Sequence, residues 1–307
     1  MLTIAYMTNR RDCKWQWFAD SLRNECNGNF TGIKLVVCDF HADKPQRIAE
    51  IRPPDGCSNF VHTAPKPTVW QGRHRLASTD YFAASNARNT AICYADDGYV
   101  AFVDDLSVLV PGWLKQVRAA EAGHYVALGA YKKVKNLVVE NGNIVSYEHH
   151  QPGVDSRWPY GSDTGPVPGE GGWMYGCSVA APVQAFLDTN GFDEDCDSLG
   201  SEDYICGIAI EQHGYKIMYD RTMLTLESEE HHHIEPSFKR TDMGVSPDDK
   251  SHAILHMAKS GNRKRFPNYF GEGGIAELRQ TILRGGQFPV NLQPRHCWFS
   301  GKPVEEF

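Results

Sequence analysis

No run of about eighteen successive apolar residues occurs in the 307-residue chain, which excludes a helix built to cross a bilayer unaided. The N-terminus also lacks the apolar stretch of a secretory leader. Leu2 to Met7 is too short, and it gives way at once to polar Thr8-Asn9-Arg10-Arg11. The nine cysteines are odd in number, scattered, and never spaced as a C-x-x-C pair, so they read as reduced thiols instead of a disulfide or zinc framework. An excess of positive charge is missing too. With 31 Lys and Arg against 38 Asp and Glu, the net charge of -7 gives no whole-molecule field for gripping nucleic acid, although a local patch stays open. Internal repeats and biased tracts are absent. These absences together predict a soluble, non-spanning, cytoplasmic protein, or one in the host cytoplasm if the chain is viral.

A hydrophobic content of 41% with 11% aromatics is enough to build a core, and the length suits one large α/β domain or two smaller ones. Leu2 to Met7 reads as a buried strand. Trp15, Phe18 and Leu22 then recur at helical spacing between Asp12 and Cys26, with Gly28 as a stop, and Ile33 to Cys38 is a second strand ending at Asp39. Strand, helix, strand predicts a right-handed βαβ unit with its polar residues at the strands' carboxyl ends. The stretch from Pro45 to Arg75 shows no regular pattern and reads as a functional loop. A helix is expected from about Thr79 to Ala95, a strand over Tyr99 to Val103, and another over Tyr125 to Tyr131. Asn141-Gly142-Asn143 marks a hairpin between residues 136–140 and 144–147, because Asn and Gly tolerate positive φ. Residues 151–172 read as a loop. Strands at 173–180 and 215–219 and helices at 182–190 and 201–213 complete the pattern.

Two acidic features carry chemistry. Asp104-Asp105 closes an apolar strand, where α/β proteins place ligands and where carboxylate oxygens can hold Mg²⁺ or Mn²⁺ against substrate phosphates. A turn before Pro111-Gly112-Trp113 is the plainer reading of the same pair. Glu202-Asp203 follows Ser201 at a helix start, a rigid place for a carboxylate that must reach a defined proton. The plainer reading there is an N-cap with acidic residues favouring the positive helix end.

In order along the chain stand Ser85-Asn86-Ala87-Arg88-Asn89, Asp104-Asp105, Pro111-Gly112-Trp113-Leu114, Asn190-Gly191-Phe192-Asp193-Glu194, Glu202-Asp203 and Gly214-Tyr215-Lys216-Ile217. This series resembles glycosyltransferase family two and its GT-A relatives over about residues 1 to 230. The resemblance implies a GT-A-type, Rossmann-like mixed α/β sheet flanked by helices. Residues 1–230 would be the transferase domain, and 231–307 a C-terminal helical extension packing on the catalytic face. It implies transfer of a sugar from a nucleotide diphosphate donor, a UDP-sugar first, to a hydroxyl acceptor with inversion. Thr8, Asn9, Arg10 and Asp39 would face the nucleotide, Arg88 would lie near the diphosphate or support its loop, and Asp104 would lie toward ribose and metal. Asp105 would face the metal. Asp203 would be the general base, with Glu202 beside it.

One departure stands out. The family's second metal aspartate commonly sits two positions after the first, and here that position is Leu106. A histidine often completes the metal set, which points to His231 or His233 in the Glu229-Glu230-His231-His232-His233 run, with an exposed loop as the plainer reading. Neutral imidazole suits Mn²⁺ better than Mg²⁺. Trp173 and Tyr175 are candidates for stacking on an acceptor sugar, or else core residues. Trp70, Arg73, His74 and Arg75 form a basic loop that either meets phosphates or is merely solvated. Lys259, Arg263, Lys264 and Arg265 make a basic cluster, either a solvated face or a grip on an anionic acceptor. The acceptor stays open among a glycan, a protein, a small molecule and a hydroxymethylated DNA base. Two other functions share these features: a nucleotidyltransferase, which usually has a glycine in its first loop where Thr8 to Arg11 has none, and a non-catalytic nucleotide-sugar-binding module.

Overall fold

The computed structural model describes residues 1–67, 83–197, 200–232, 254–267 and 273–289. Its strands are β1 (Leu2–Thr8), β2 (Ile33–Asp39), β3 (Phe60–Thr63), β4 (Tyr99–Asp104), β5 (Ser107–Leu109), β6 (Val126–Glu140), β7 (Asn143–Val154), β8 (Val167–Pro168), β9 (Ser178–Pro182) and β10 (Ile217–Ser228). The helices are α1 (Trp15–Glu25), α2 (Pro45–Glu50), α3 (Ala84–Tyr94), α4 (Trp113–Gly123), α5 (Val183–Thr189), α6 (Glu202–Gln212), α7 (Glu229–His232), α8 (254–259) and α9 (Gly274–Leu283). The described strands form one 10-stranded sheet in the order β3-β2-β1-β4-β9-β6-β10-β5, with β7 on β6 and β8 on β10. β1 to β4 run parallel, β9 enters antiparallel between β4 and β6, and β6 and β10 run parallel.

β1 and β2 are buried along their whole length, which is why they read as continuous apolar runs. Their side chains alternate between two cores. Leu2, Ile4, Tyr6, Leu35 and Val37 point to the face covered by Trp15, Phe18 and Leu22 of α1 and by Trp113 and Val117 of α4. Ala5, Met7, Val36, Cys38 and Phe102 point to the face covered by α3, α5, α6, α8 and α9. There Phe102, Phe186 and Phe192 meet with centroids 5.3 to 5.6 Å apart, each contributing about 1.5–3 kcal/mol of apolar burial.

The helices of the C-terminal extension share this second core. Ile254, Ala258, Phe266, Ile275, Leu278 and Ile282 are buried in it. Hydrogen bonds tie the extension to the turn after α5: the Phe266 N–H donates to the Thr189 carbonyl at 2.8 Å, and the Ile275 N–H to Asn190 Oδ1 at 2.9 Å. Arg279 Nε donates to the Ala95 carbonyl at 2.8 Å, at the end of α3. The described part of the extension therefore packs on α3 and α5.

Several elements differ from the sequence expectation. The stretch from Pro45 holds α2 and the four-residue β3, both too short for periodicity to reveal. The two strands expected over 125–131 and 136–140 are one long β6, and β7 continues to Val154, inside the expected loop. The Asn141-Gly142 turn has φ of 48° and 75°, as a two-residue hairpin turn requires, and it folds back onto α1, where Asn24 Nδ2 donates to the Asn141 carbonyl at 2.8 Å. The strand expected from Trp173 starts only at Ser178. Gly171–Trp173 is a 3-10 turn packed backbone to backbone on α6: a Cβ on Gly171 would lie 2.2 Å from the Gly207 carbonyl oxygen.

Candidate active site

Parallel register brings the polar strand ends side by side: Thr8 pairs with Asp39, and Met7 with Asp104. Thr8 Oγ1 donates to Asp105 Oδ2 at 2.7 Å, and Arg10 Nε to Asp105 Oδ1 at 3.2 Å. Arg10 Nη1 also donates to the His231 carbonyl at 3.3 Å, so one side chain joins the loop after β1, the strand-end carboxylate and α7. Asn9 contributes a buried amide, Nδ2, that has no hydrogen-bond partner among the described residues.

Asp39 lies deeper than its expected place against a nucleotide. It is fully buried, and its oxygens accept from Arg47 Nε at 2.7 Å, from the His41 N–H at 2.9 Å and from the His62 ring at 2.9 Å. Burial pushes its carboxyl up, but His62 and Arg47 more than offset this and hold it below the ordinary carboxylate value. Arg47 also donates to the carbonyls of Arg10 and Arg11 at 2.6 and 2.7 Å. In this geometry Asp39 and Arg47 brace the Thr8–Arg11 loop from beneath.

The two acidic motifs meet through Arg88. From the buried face of α3, Nη2 donates to Asp104 Oδ1 at 3.0 Å and Nη1 to Glu202 Oε1 at 2.6 Å. Burial opposes the guanidinium's charge, yet Asp104, Glu202 and Asp203 together keep it firmly protonated. Gly176 makes room for this bridge: a Cβ there would lie 2.0 Å from Arg88 Nη2. The Gly176 N–H donates to Asp203 Oδ2 at 2.9 Å, and the Tyr204 N–H to Oδ1 at 2.7 Å. Burial first, and Glu202 second, raise the Asp203 carboxyl to about 6, with Arg88 limiting the rise. Ser201, expected as an N-cap, has φ 66° and makes no side-chain cap hydrogen bond, so the turn into α6 is not secured in that way.

Trp173 and Tyr175 stand just before Gly176 in the chain. Tyr175 packs edge-on against Tyr131 with centroids 5.7 Å apart and sits 4.4 Å from the guanidinium carbon of buried Arg157. Arg157 is locked by Asp155, by the Gly129 carbonyl at 2.7 Å and by the Trp173 carbonyl. Trp173 stacks obliquely on Tyr160 at 5.3 Å. Both aromatics are partly exposed, and Trp173 also rests on the core.

Leu106 is completely buried at φ 62°, its backbone bonded to Cys13 and Ser228, so that position presents no ligand group. Among the described residues no three His, Cys, Asp or Glu side chains converge as a metal-holding group. Asp104 is the open carboxylate, 38% exposed, with Oδ1 bonded to Arg88, whereas Asp105 is engaged by Thr8 and Arg10. His231 Nδ1 lies 2.7 Å from Ser228 Oγ, and burial, then Lys14, lower its pKa and favour neutral imidazole. His233 and the loop bearing Trp70, Arg73, His74 and Arg75 lie outside the described residues.

The basic cluster at 259–265 is partly structural. Arg263 is buried and pairs with Asp193 at 2.5 Å and Asp195 at 2.6 Å, and Arg265 Nη1 donates to the carbonyls of Leu187 and Asp188 at the end of α5. Lys66 pairs with buried Glu194, and Asp197 accepts the Ser85 N–H at the start of α3, at 2.7 Å. The Asn190–Glu194 motif and the carboxylates after it therefore fasten α3 to the extension. Arg47, Arg157 and Gly176 were not singled out in the sequence, because their partners are brought to them by tertiary structure.

No protein-family model matches the sequence, and no curated protein matches it. Solved structures do match in fold. They include S. aureus TarS, at TM-score 0.52 and 13% identity over 84% of this chain and 39% of that one. S. aureus TarS 1-349 in complex with UDP-GlcNAc matches at 0.52 and 14% over 84% and 65%. GalNAc-T7 with UDP, GalNAc and Mn²⁺ matches at 0.57 and 12% over 94% and 55%. The fold is GT-A. The chain spans less than two thirds of each of these proteins. Arg88 thus links the sheet's carboxyl edge at Asp104 to the start of α6 at Glu202. No described helix is long and apolar enough to cross a membrane.

Proposed function

We propose that the chain is a nucleotide-sugar-dependent glycosyltransferase that moves a sugar from a UDP-sugar to a hydroxyl acceptor with inversion. The observation that carries this reading is the Arg88 bridge between Asp104 and Glu202, beside an Asp203 carboxyl raised to about 6. A base near the working pH is both ionised and able to take a proton. Asp203 accepts the proton of the acceptor hydroxyl as its oxygen bonds to the anomeric carbon. The bond from that carbon to the diphosphate oxygen breaks on the opposite side, and the nucleoside diphosphate leaves with the electron pair. Thr8, Asn9 and Arg10 take the nucleotide, with the unpartnered Asn9 amide available to a base or ribose oxygen and Asp39 bracing the loop. Arg88 sets Asp104 toward the donor. Trp173 and Tyr175 form the acceptor wall.

The open side of Asp104 suits Mn²⁺ or Mg²⁺, which are bound by one or two carboxylates when substrate phosphates complete the shell. Asp105 adjoins it, with the His231 ring and His233 as further candidates. The metal, when bound, would neutralise charge gathering on the leaving diphosphate. A nucleotidyltransferase is less well supported, since the Thr8–Arg11 loop has no glycine to cradle a triphosphate.

The test is the anomeric configuration of the product, read by proton NMR after transfer to a trial acceptor, together with donor binding. Inverted product, with transfer lost and donor binding kept in Asp203→Asn, is expected. Retained configuration, or unchanged transfer by Asp203→Asn, would remove the base assignment.

A further inference from the structure

Beyond Tyr175 the acceptor wall continues into a cluster that the reaction itself does not use. Lys132 Nζ lies 3.8 Å from the centroid of the Trp158 ring, and Arg221 Cζ lies 5.3 Å from the same ring. Arg221 is fixed by the Trp158 carbonyl at 3.1 Å and by Asp163 at 2.7 Å. Asp155, the other carboxylate nearby, is buried and held by Arg157. Two cations thus share one indole, and among the described residues one exposed carboxylate, Asp163, pairs with Arg221 and acts at longer range on Lys132. The Lys132 side chain has no ion pair or hydrogen bond among the described residues. Partial burial and the Arg221 charge lower its pKa, with Asp163 opposing them in part. Beside it, Tyr160 is 65% exposed and offers a ring stacked on Trp173.

Two like charges that share a single carboxylate are short of negative charge unless an anion visits them, and aromatic faces beside them take the apolar face of a sugar ring. We propose that Lys132, Arg221, Trp158 and Tyr160 form an acceptor subsite for a saccharide that carries a phosphate or carboxylate, Lys132 pairing with the anion and Tyr160 stacking on the ring. The subsite rests on the transferase reading and gives its acceptor a chemical class. It joins the base through a short path: Trp158 follows Arg157, whose guanidinium underlies Tyr175, and Tyr175 precedes the Gly176 that holds Asp203. A glycan is favoured over a nucleic acid because the chain's charge is -7 and the patch offers two cations, not a long basic stripe.

The test is tryptophan fluorescence and calorimetry on the full chain, with a hexose 6-phosphate, a hexuronic acid, a neutral methyl hexoside, inorganic phosphate and a short single-stranded oligonucleotide as probes. Wild type, Lys132→Gln and Tyr160→Ala are compared, and UDP binding is measured on each. The expected result is that an anionic saccharide binds more tightly than the neutral hexoside or phosphate alone, weakens with salt, and loses about tenfold or more in each variant while UDP binding is unchanged. Three results overturn the proposal: equal affinity for neutral and anionic sugar, unaltered affinity in Lys132→Gln, or an oligonucleotide bound more tightly than every saccharide. Loss of UDP binding in wild type would instead count against the transferase reading, so the two failures are distinct.

Discussion

Replacing Asp203 by Asn should make the protein less active and more stable, and both effects should follow one titration. The carboxyl stands at about 6 where 3.8 is ordinary, so keeping it ionised in the folded chain costs about 3 kcal/mol at 1.36 kcal/mol per tenfold. Asn removes that cost. Its single carbonyl oxygen can serve only one of the Gly176 and Tyr204 N–H groups, which gives back about 1 kcal/mol. The net gain expected for Asp203→Asn is about 2 kcal/mol well above pH 6. Because the native value lies above the unfolded one, the cost is fully present at high pH, fades as pH falls through about 6, and is gone below about pH 4. Urea unfolding of both proteins across this range reads the difference directly. Transfer by the wild type should fall as pH drops below about 6, and Asp203→Asn should lose about 10²–10⁴ in rate. A stability difference that does not change with pH would refute the reasoning, since it would mean that Asp203 is not held in its costly form.

Three other outcomes are expected. Gly176→Ala puts a methyl group 2.0 Å from Arg88 Nη2, so the bridge or the base must move; turnover should fall about tenfold to a hundredfold while donor affinity stays within about threefold, as steady-state kinetics and calorimetry would show. Arg263→Met leaves Asp193 and Asp195 buried without their cation and should cost about 3–5 kcal/mol in urea unfolding, a large share of a typical fold's stability. Donor binding by the wild type should weaken about tenfold or more when EDTA removes divalent metal, and Asp104→Asn should be insensitive to that removal; equal sensitivity would take Asp104 out of the metal set.

The strand ends were legible because their signals are local. Apolar runs closing on Thr8, Asp39 and Asp104 survive folding unchanged, and parallel register then sets them in a row. The pairing of Arg88 with both acidic motifs was not legible, since it depends on α3 and α6 meeting on one face of the sheet and on a glycine that leaves room for the guanidinium by lacking a Cβ. Asp39 illustrates the converse. Its position at a strand end is visible in the sequence, but its partners Arg47 and His62 come from a short helix and a short strand that carry no periodic signature. Arg263 looked like part of a basic face because sequence shows charge without burial; the carboxylates that claim it are about seventy residues away. Leu106, a departure when read as a missing ligand, is explained by a fully buried position in the left-handed region.

The most direct measurement is release of nucleoside diphosphate from a panel of nucleotide sugars incubated with the protein, Mn²⁺ or Mg²⁺ and a pool of hydroxyl acceptors. One or more sugars should yield nucleoside diphosphate, most readily a UDP-sugar, and the yield should collapse in Asp203→Asn. Release of nucleoside monophosphate or pyrophosphate in its place, or no binding of any nucleotide sugar, would contradict the assignment of sugar transfer to this site.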